Sequence, residues 1–111
     1  MCLNLPDQLE FKMTFSSEMC YYIFMLKLID FYADWCGPCQ IMTPVLEELE
    51  KTLINKVTFT KVNVDVDMNM AQKYSIMSIP TFVLEKDGKE VDRKLGAIPK
   101  KTLEDWLNSY L

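Results

Sequence analysis

The sequence predicts an α/β domain in which helices cover both faces of a central β-sheet. Strand-like and helix-like patterns alternate from residue 26 onward, in the order strand, helix, strand, helix, strand, strand, helix. Such alternation favours right-handed crossovers and a sheet that is covered on both sides. The chain has 111 residues, half of them apolar and only three of them glycine, which is the size and composition of one packed domain over residues 1–111.

Two apolar segments predict core strands. Residues 26–33, LKLIDFYA, precede a turn-like DWCGP and are typical of a strand buried on both faces of a parallel or mixed sheet. Residues 57–66, VTFTKVNVDV, are dense in β-branched side chains and predict a second core strand. Asp30 lies in the first strand, where a buried charge is costly. Lys61 is unusual in the second strand because it is a lysine among mainly β-branched residues.

Three further segments predict helices, and two predict a hairpin. After Pro38, apolar residues recur at helical spacing with acidic residues on the opposite side, which predicts an amphipathic helix that begins near Cys36. A short helix is predicted over residues 68–74, and a last helix begins at Pro99, a residue suited to a first helical position. Between them, two extended runs flank a lysine-aspartate-glycine-lysine turn and predict a β-hairpin.

The first 25 residues follow a less regular pattern. CLNL predicts an edge strand and residues 6–17 predict a helix, although the apolar residues from Leu9 to Phe15 also alternate as they would in a strand. We treat this segment as a divergent part of the same domain. Cys2 and Cys20 lie within it and are expected to be free thiols, with a regulatory disulfide or intermolecular pairing through Cys20 as the alternative.

Charge and hydropathy exclude several functional classes. The formal charge is -4 and no run of lysine or arginine exceeds two residues, so the chain lacks the basic surface that nucleic-acid binding needs. The most apolar segment is interrupted by Lys27, Asp30 and Asp34, and falls short of the roughly 20 residues that a membrane-spanning helix requires. Because the first residues are acidic rather than basic and apolar, a secretory signal is not expected, and we expect a cytosolic protein.

The four cysteines raise the question of disulfides and metal. A disulfide framework presupposes secretion, which the sequence does not support. Structural zinc needs four closely organised ligands, whereas this chain has no histidine and Cys2 and Cys20 are isolated, so we expect no metal site. The pair formed by Cys36 and Cys39 is therefore a candidate for redox chemistry.

The predicted strand-to-helix junction suggests different roles for these two thiols. Cys36 would lie at the helix N-terminus, where unpaired amides and the helix dipole favour a thiolate, so it is the candidate nucleophile. Cys39 would lie one turn further on the same helix face, with a less exposed sulfur, and would resolve a mixed disulfide. Gly37 and Pro38 permit a tight but stiff entry into the helix and supply no cation.

Four strings together resemble the thioredoxin family, in matching order over residues 26–111: DFYADWCGPCQ, KVNVDVD, SIPTF and KLGAIPKKTLEDWL. The tryptophan-cysteine-glycine-proline-cysteine string, followed later by isoleucine-proline-threonine, makes the match specific. The resemblance implies the thioredoxin fold, a central mixed β-sheet flanked by helices on both faces. The chain departs from the family in residues 1–25 and at Tyr32, where many members carry tryptophan.

The resemblance also implies roles for individual residues. Pro80 matches the family's cis-proline, which packs against the active-site disulfide, and the backbone of Ile79 would pair with a bound substrate strand. Asp30 matches the buried carboxylate that accepts the proton of Cys39, and Lys61 matches the cation that tunes this carboxylate. A carboxylate in an apolar strand has a raised pKa, which suits it to that role. The expected substrate-binding residues are Trp35, Gly37, Pro38, Ile79, Pro80 and Gly96.

For function, the resemblance implies a protein-disulfide reductase that cycles Cys36 and Cys39 between dithiol and disulfide. Electrons would come from NADPH through a separate thioredoxin reductase, so no bound cofactor is expected in this chain. The expected partners are that reductase and disulfide-containing client proteins, and the chain is expected to be a monomer. An oxidase or isomerase usually has histidine where this chain has Pro38, and a scaffold protein would not need the thiols, so both are weaker alternatives.

Overall fold

The structure is a computed structural model that describes residues 26–111. The edge strand and helix predicted within residues 1–25, together with Cys2 and Cys20, lie outside the described residues. In chain order, the described elements are β1 (Leu26–Tyr32), α1 (Gly37–Thr52), β2 (Val57–Asn63), α2 (Met68–Lys73), β3 (Thr81–Lys86), β4 (Lys89–Leu95) and α3 (Lys100–Asn108). This order confirms the predicted alternation of strands and helices.

The described strands form one mixed sheet in the order β2-β1-β3-β4. β1 runs parallel to β2 and antiparallel to β3, and β3 and β4 form an antiparallel hairpin. The parallel register places Asp30 beside Lys61 on β2, and the antiparallel register places it beside Phe82 on β3. Because β1 has a hydrogen-bonded strand on each side, a polar side chain on it lies in the middle of the sheet.

Helices pack on both faces of the sheet, as predicted. α1 and α3 cover one face, where the fully buried side chains include Leu28, Met42, Leu49, Phe82, Leu103 and Leu107. On the other face, Ile29, Phe31 and Val83 pack together with Met70 of α2 and with Tyr74. Burial of one such large apolar side chain contributes roughly 1.5–3 kcal/mol. The two cores therefore hold β1, and the loop that follows it, in a fixed position.

The hairpin between β3 and β4 closes through the two residues Asp87 and Gly88. Their φ angles are 58° and 80°, both in the left-handed region. A two-residue type I′ turn requires this conformation at both positions, and aspartate-glycine is among the sequences that adopt it most readily. The predicted turn is thus confirmed, and it pairs Lys86 with Lys89 at the start of β4.

Some element boundaries differ from the prediction by a few residues. β2 ends at Asn63, because the side-chain Oδ1 of Asn63 accepts a hydrogen bond from the amide of Asp65 at 2.9 Å and starts a turn. Pro99 is the N-cap of α3 and not its first helical residue; its φ is -61° and its ψ is 150°, an extended conformation. No helix within residues 26–111 is long and apolar enough to cross a membrane.

Candidate active site

The two thiols are joined as a disulfide at the junction between β1 and α1. The Cα atoms of Cys36 and Cys39 are 5.2 Å apart, well within the range of an ordinary disulfide. The amide of Cys36 donates to the carbonyl of Ala33 at 3.2 Å, which closes a tight turn directly after the strand. The sequence-predicted pair is therefore assembled by the local path of the chain.

Cys36 is the N-cap of α1. Its backbone is extended, with φ of -87° and ψ of 111°, and its Sγ accepts a hydrogen bond from the amide of Cys39 at 3.1 Å. An N-cap side chain that satisfies one of the free amides of the first turn lies at the positive end of the helix dipole. Pro38 falls in this first turn, where its missing N–H leaves no helical hydrogen bond unmade. The sulfur of Cys36 thus lies where negative charge is stabilised.

Both cysteines are covered in this disulfide form. The exposed fraction is 4% for Cys36 and 5% for Cys39. The two cysteines are thus almost equally buried, whereas the sequence predicts that Cys39 is the less exposed. They form a small buried cluster with Ala33, against which Tyr32 and Ile79 pack. Another molecule can therefore approach this disulfide only from the rim of the cluster.

Two of the predicted substrate-binding residues, Ile79 and Pro80, lie in the loop before β3, and a third, Gly96, follows β4 and contacts that loop. The bond between Ile79 and Pro80 is cis, as the resemblance implied. The amide of Gly96, whose φ is 84°, donates to the carbonyl of Pro80 at 2.8 Å. Among the described residues, no backbone hydrogen bond engages the amide or carbonyl of Ile79. The polar backbone atoms of Ile79 are thus available to a bound chain.

Trp35 lies beside the disulfide as an exposed aromatic side chain. It is 70% exposed, and its indole Nε1 donates a hydrogen bond to Oδ2 of Asp65 at 2.7 Å. Asp65 follows β2 within the KVNVDVD string, and no sequence pattern predicts its contact with Trp35. The bond fixes the plane of an indole that would otherwise rotate freely in solvent.

A groove extends from Trp35 across the surface next to the loop that contains Ile79 and Pro80. Its volume is about 370 Å³. It is lined mainly by apolar side chains, including Trp35, Val64, Ala71, Ile76, Met77 and Ile79. Met77 is 93% exposed at its margin. Such a shallow apolar surface suits a segment of a protein chain better than a small polar ligand.

Asp30 is a buried carboxylate on β1, between β2 and β3. It is 5% exposed, and its Oδ1 has no hydrogen-bond partner among the described residues. Burial raises the pKa of Asp30 from 3.8 to about 6, and the positive charge of Lys61 offsets part of that increase. This carboxylate is therefore ready to take up a proton near neutral pH.

Lys61 lies beside Asp30 in the strand register but does not form a salt bridge with it. Its Nζ lies 5.2 Å from the centroid of the Tyr32 ring, a cation–π distance. Within residues 26–111, the ion pairs of 4.0 Å or less do not include Asp30 and Lys61. Lys61 thus acts on Asp30 through its charge at longer range.

The described residues contain no group of three or more side chains that could hold a metal ion.

The chain is similar to known proteins over most of its length. A family model described as Thioredoxin matches residues 12–109. The thioredoxin of Rickettsia felis is 46% identical over 84 residues, which cover 76% of this chain and 80% of that protein. The thioredoxin of Bacillus subtilis is 44% identical over 84 residues, which cover 76% of this chain and 81% of that protein.

Solved structures of similar proteins have the same fold. A thioredoxin from Fasciola hepatica superposes with a TM-score of 0.75 at 40% identity, over 85% of this chain and 89% of that one. A mutant thioredoxin from Halobacterium salinarum superposes with a TM-score of 0.74 at 38% identity, over 78% of this chain and 75% of that one. The similarity therefore includes the three-dimensional arrangement as well as the sequence.

Proposed function

The chain belongs to the thioredoxin family and is a thiol-disulfide oxidoreductase, and we propose that it works as a reductase of disulfides in client proteins. The observation that carries the proposal is the Cys36–Cys39 disulfide at the start of α1, where the Cys36 sulfur accepts the amide of Cys39. That arrangement stabilises the thiolate form of Cys36, which is the reactive form in thiol-disulfide exchange.

The proposed reaction has two exchange steps. In the reduced protein, the Cys36 thiolate attacks one sulfur of the client disulfide, which forms a mixed disulfide and releases the other client sulfur as a thiolate. Cys39 then attacks the Cys36 sulfur, which breaks the mixed disulfide and closes the Cys36–Cys39 bond. The client gains two electrons, and the protein loses two.

We assign the proton transfer of the second step to Asp30. Cys39 must lose its thiol proton before or while it attacks, and a general base near neutral pKa is efficient in this role. The buried position of Asp30 and its raised pKa support the assignment. Lys61 limits how far the pKa of Asp30 rises, which keeps the carboxylate a usable base.

We assign client binding to the rim of the disulfide. The free backbone atoms of Ile79 would pair with an extended client segment, as an added strand pairs with a sheet edge. Pro80 and Gly96 hold that loop together through their hydrogen bond. Trp35 would contact the apolar side chains of the client, and the exposed Gly37 and Pro38 leave the approach to Cys36 open.

The supply of electrons and the cellular setting are further parts of the proposal. We propose that a separate thioredoxin reductase passes electrons from NADPH to the Cys36–Cys39 disulfide, so that the disulfide is the redox group of this chain and no bound cofactor takes part. We also propose that the protein acts as a cytoplasmic monomer. The family match to residues 12–109 supports a single domain over residues 1–111.

The test is reduction of insulin, measured with the protein and with a Cys36→Ser variant. With NADPH and thioredoxin reductase, we expect turnover by the protein and none by the variant. Turnover with dithiothreitol but not with the reductase would contradict the proposed electron donor and leave the disulfide chemistry intact. Absence of turnover with either donor, from a folded protein, would contradict the reductase function.

A further inference from the structure

Two small cavities lie between β1, α1 and β2, one against each partner of the proposed proton transfer. The first has a volume of about 120 Å³ and includes Asp30 in its wall. The second has a volume of about 130 Å³ and includes Cys39. A water molecule occupies roughly 30 Å³ in the liquid, so each cavity is large enough for water.

Two described residues, Thr43 and Lys61, line both cavities. Each of them therefore borders both the cavity at Asp30 and the cavity at Cys39. The Lys61 ammonium lies over the Tyr32 ring and carries no lone pair that can accept a proton. Of these two side chains, that of Thr43 carries a hydroxyl, which can both donate and accept hydrogen bonds.

The hydrogen bonding of Thr43 leaves its acceptor capacity available. Its Oγ1 donates to the carbonyl of Cys39 at 3.3 Å, so the hydroxyl is tied to the turn that carries the resolving thiol. A hydroxyl that donates once keeps two lone pairs as acceptors. In Asp30, which lines the first cavity, Oδ1 is buried without a partner among the described residues. Buried polar atoms of this kind are commonly satisfied by water.

We propose that Thr43 is a positioning residue for the resolving step, whose hydroxyl holds the water through which the Cys39 proton reaches the Asp30 carboxylate. The inference rests on the proposed reductase function and adds a residue to it. In this step the S–H bond of Cys39 breaks, and the proton passes through the water to Asp30. The freed sulfur attacks Cys36, and the client sulfur leaves with the electron pair of the mixed disulfide.

The charged groups around Asp30 define how the step should depend on pH. Glu47 and Glu50 of α1 and Lys61 of β2 line the first cavity together with Asp30. Asp34 and Lys61 line the second cavity together with Cys39. Because the pKa of Asp30 is raised to about 6, the resolving rate should increase as the pH rises through that value and Asp30 becomes a base.

The experiment measures the two steps separately with a chromophoric aromatic disulfide, Ellman's reagent, in a stopped-flow instrument. Attack by Cys36 depends on the reagent concentration, whereas resolution by Cys39 is intramolecular and does not. We expect Thr43→Val to slow the concentration-independent phase about tenfold at neutral pH and to remove its increase near pH 6, because unassisted thiol ionisation then limits the step. The rate of the concentration-dependent phase should stay within about twofold of its rate in the original protein.

Two further variants serve as controls. Thr43→Ser retains the hydroxyl and should restore both the rate and the pH profile. Thr52 provides a matched control within the same helix. Like Thr43, it donates from Oγ1 to the carbonyl four residues earlier, that of Glu48, at 3.1 Å, but Thr52 lines neither cavity. Thr52→Val should therefore leave both phases unchanged.

The outcomes separate this inference from the reductase function itself. An unchanged second phase in Thr43→Val, an equal loss in Thr52→Val, or a failure of Thr43→Ser to restore the rate would each overturn the role of Thr43. A slowed first phase in folded Thr43→Val would overturn it as well, because the residue would then support the nucleophile. If the original protein released no second equivalent of thiolate, the reductase function would be overturned instead.

Discussion

The ammonium of Lys61 lies over the ring of Tyr32, with Nζ 5.2 Å from the ring centroid. The strand register sets Lys61 and Asp30 side by side, but the ammonium contacts the ring and forms no direct ion pair with the Asp30 carboxylate. A direct pair would favour the charged form of Asp30 and keep its pKa low. The observed arrangement leaves burial as the dominant influence on the carboxylate.

The first prediction concerns the charge of Lys61. Replacing it by methionine removes the cation that lowers the pKa of Asp30, so this pKa should rise above its value of about 6. The measurement is a titration of the Asp30 carboxyl carbon by NMR in the oxidised protein. Lys56→Met, which removes an exposed lysine directly before β2, is the matched control and should leave the titration unchanged. An Asp30 pKa that stays the same in Lys61→Met would contradict the proposed role of Lys61.

The second prediction concerns the cost of burying Asp30. Its folded-state pKa of about 6 lies above the ordinary value of 3.8, so the folded state binds more protons between these values and loses stability as the pH rises through them. A shift of this size corresponds to about 3 kcal/mol. The side chain introduced by Asp30→Asn does not titrate. The free energy of unfolding of the variant, relative to that of the original protein, should therefore be higher at pH 7.5 than at pH 4 by about 2–3 kcal/mol.

Urea denaturation of the oxidised proteins at both pH values tests this directly. The quantity of interest is the difference in free energy of unfolding between variant and original protein, from which all other titrating groups cancel. If that difference is the same at pH 4 and pH 7.5, Asp30 does not have a raised pKa.

The third prediction concerns the hydrogen bond that orients Trp35. Asp65→Ala removes the acceptor of the indole Nε1, so the indole loses its fixed orientation at the client-binding rim. An exposed hydrogen bond of this kind contributes about 1 kcal/mol, which corresponds to a rise of about fivefold in KM for insulin with little change in kcat. Asp105→Ala, which removes an exposed carboxylate from α3, should leave both constants unchanged. A fall in kcat with an unchanged KM would show that Asp65 acts on the chemistry and not on binding.

The fourth prediction concerns the attachment of α3 to the sheet. Oδ2 of Asp92 on β4 accepts hydrogen bonds from the indole of Trp106 at 2.8 Å and from the hydroxyl of Tyr110 at 3.1 Å. Asp92→Ala leaves both donors without this partner and should lower the free energy of unfolding by about 2 kcal/mol at neutral pH. Asp105→Ala, which breaks only an exposed pair with Lys101, should cost no more than about 0.5 kcal/mol.

The effect of Asp92 on stability depends on pH in the opposite direction to that of Asp30, because Asp92 stabilises the folded protein when it is charged. The indole hydrogen bond of Trp106 holds the pKa of Asp92 below its ordinary value of 3.8. The stabilisation is therefore complete above that value and disappears as the pH falls through the lower, folded-state pKa. Denaturation at pH 7 and pH 2.5 should show a smaller difference between Asp92→Ala and the original protein at the lower pH. A difference that grows towards low pH would contradict the assignment.

The sequence predicted the elements of the fold well, because their signals are local. Apolar periodicity is enough to find β1, β2 and α1, and the aspartate-glycine turn is enough to find the hairpin. The ends of elements were less exact, since a cap is decided by the backbone angles of one residue, as at Pro99. The cis bond at Pro80 had no local signal and came from the family resemblance.

The contacts within the site were harder to predict, because they join distant parts of the chain. Trp35 and Asp65 are 30 residues apart and meet only after β2 has paired with β1. The ammonium of Lys61 contacts the ring of Tyr32 and not the carboxylate of Asp30, and a sequence pattern does not encode that choice. The similar burial of both cysteines arises because one disulfide draws the two sulfurs into the same cluster.

The most direct test of the account is to trap the mixed disulfide. A Cys39→Ser variant lacks the resolving thiol, so its reaction with insulin should stop at an adduct that dithiothreitol removes. Peptide mass spectrometry under non-reducing conditions should place the bond at Cys36, and the Cys36→Ser variant should give no adduct. An adduct at Cys2 or Cys20, or one that forms equally in Cys36→Ser, would contradict the assignment of Cys36 as the nucleophile.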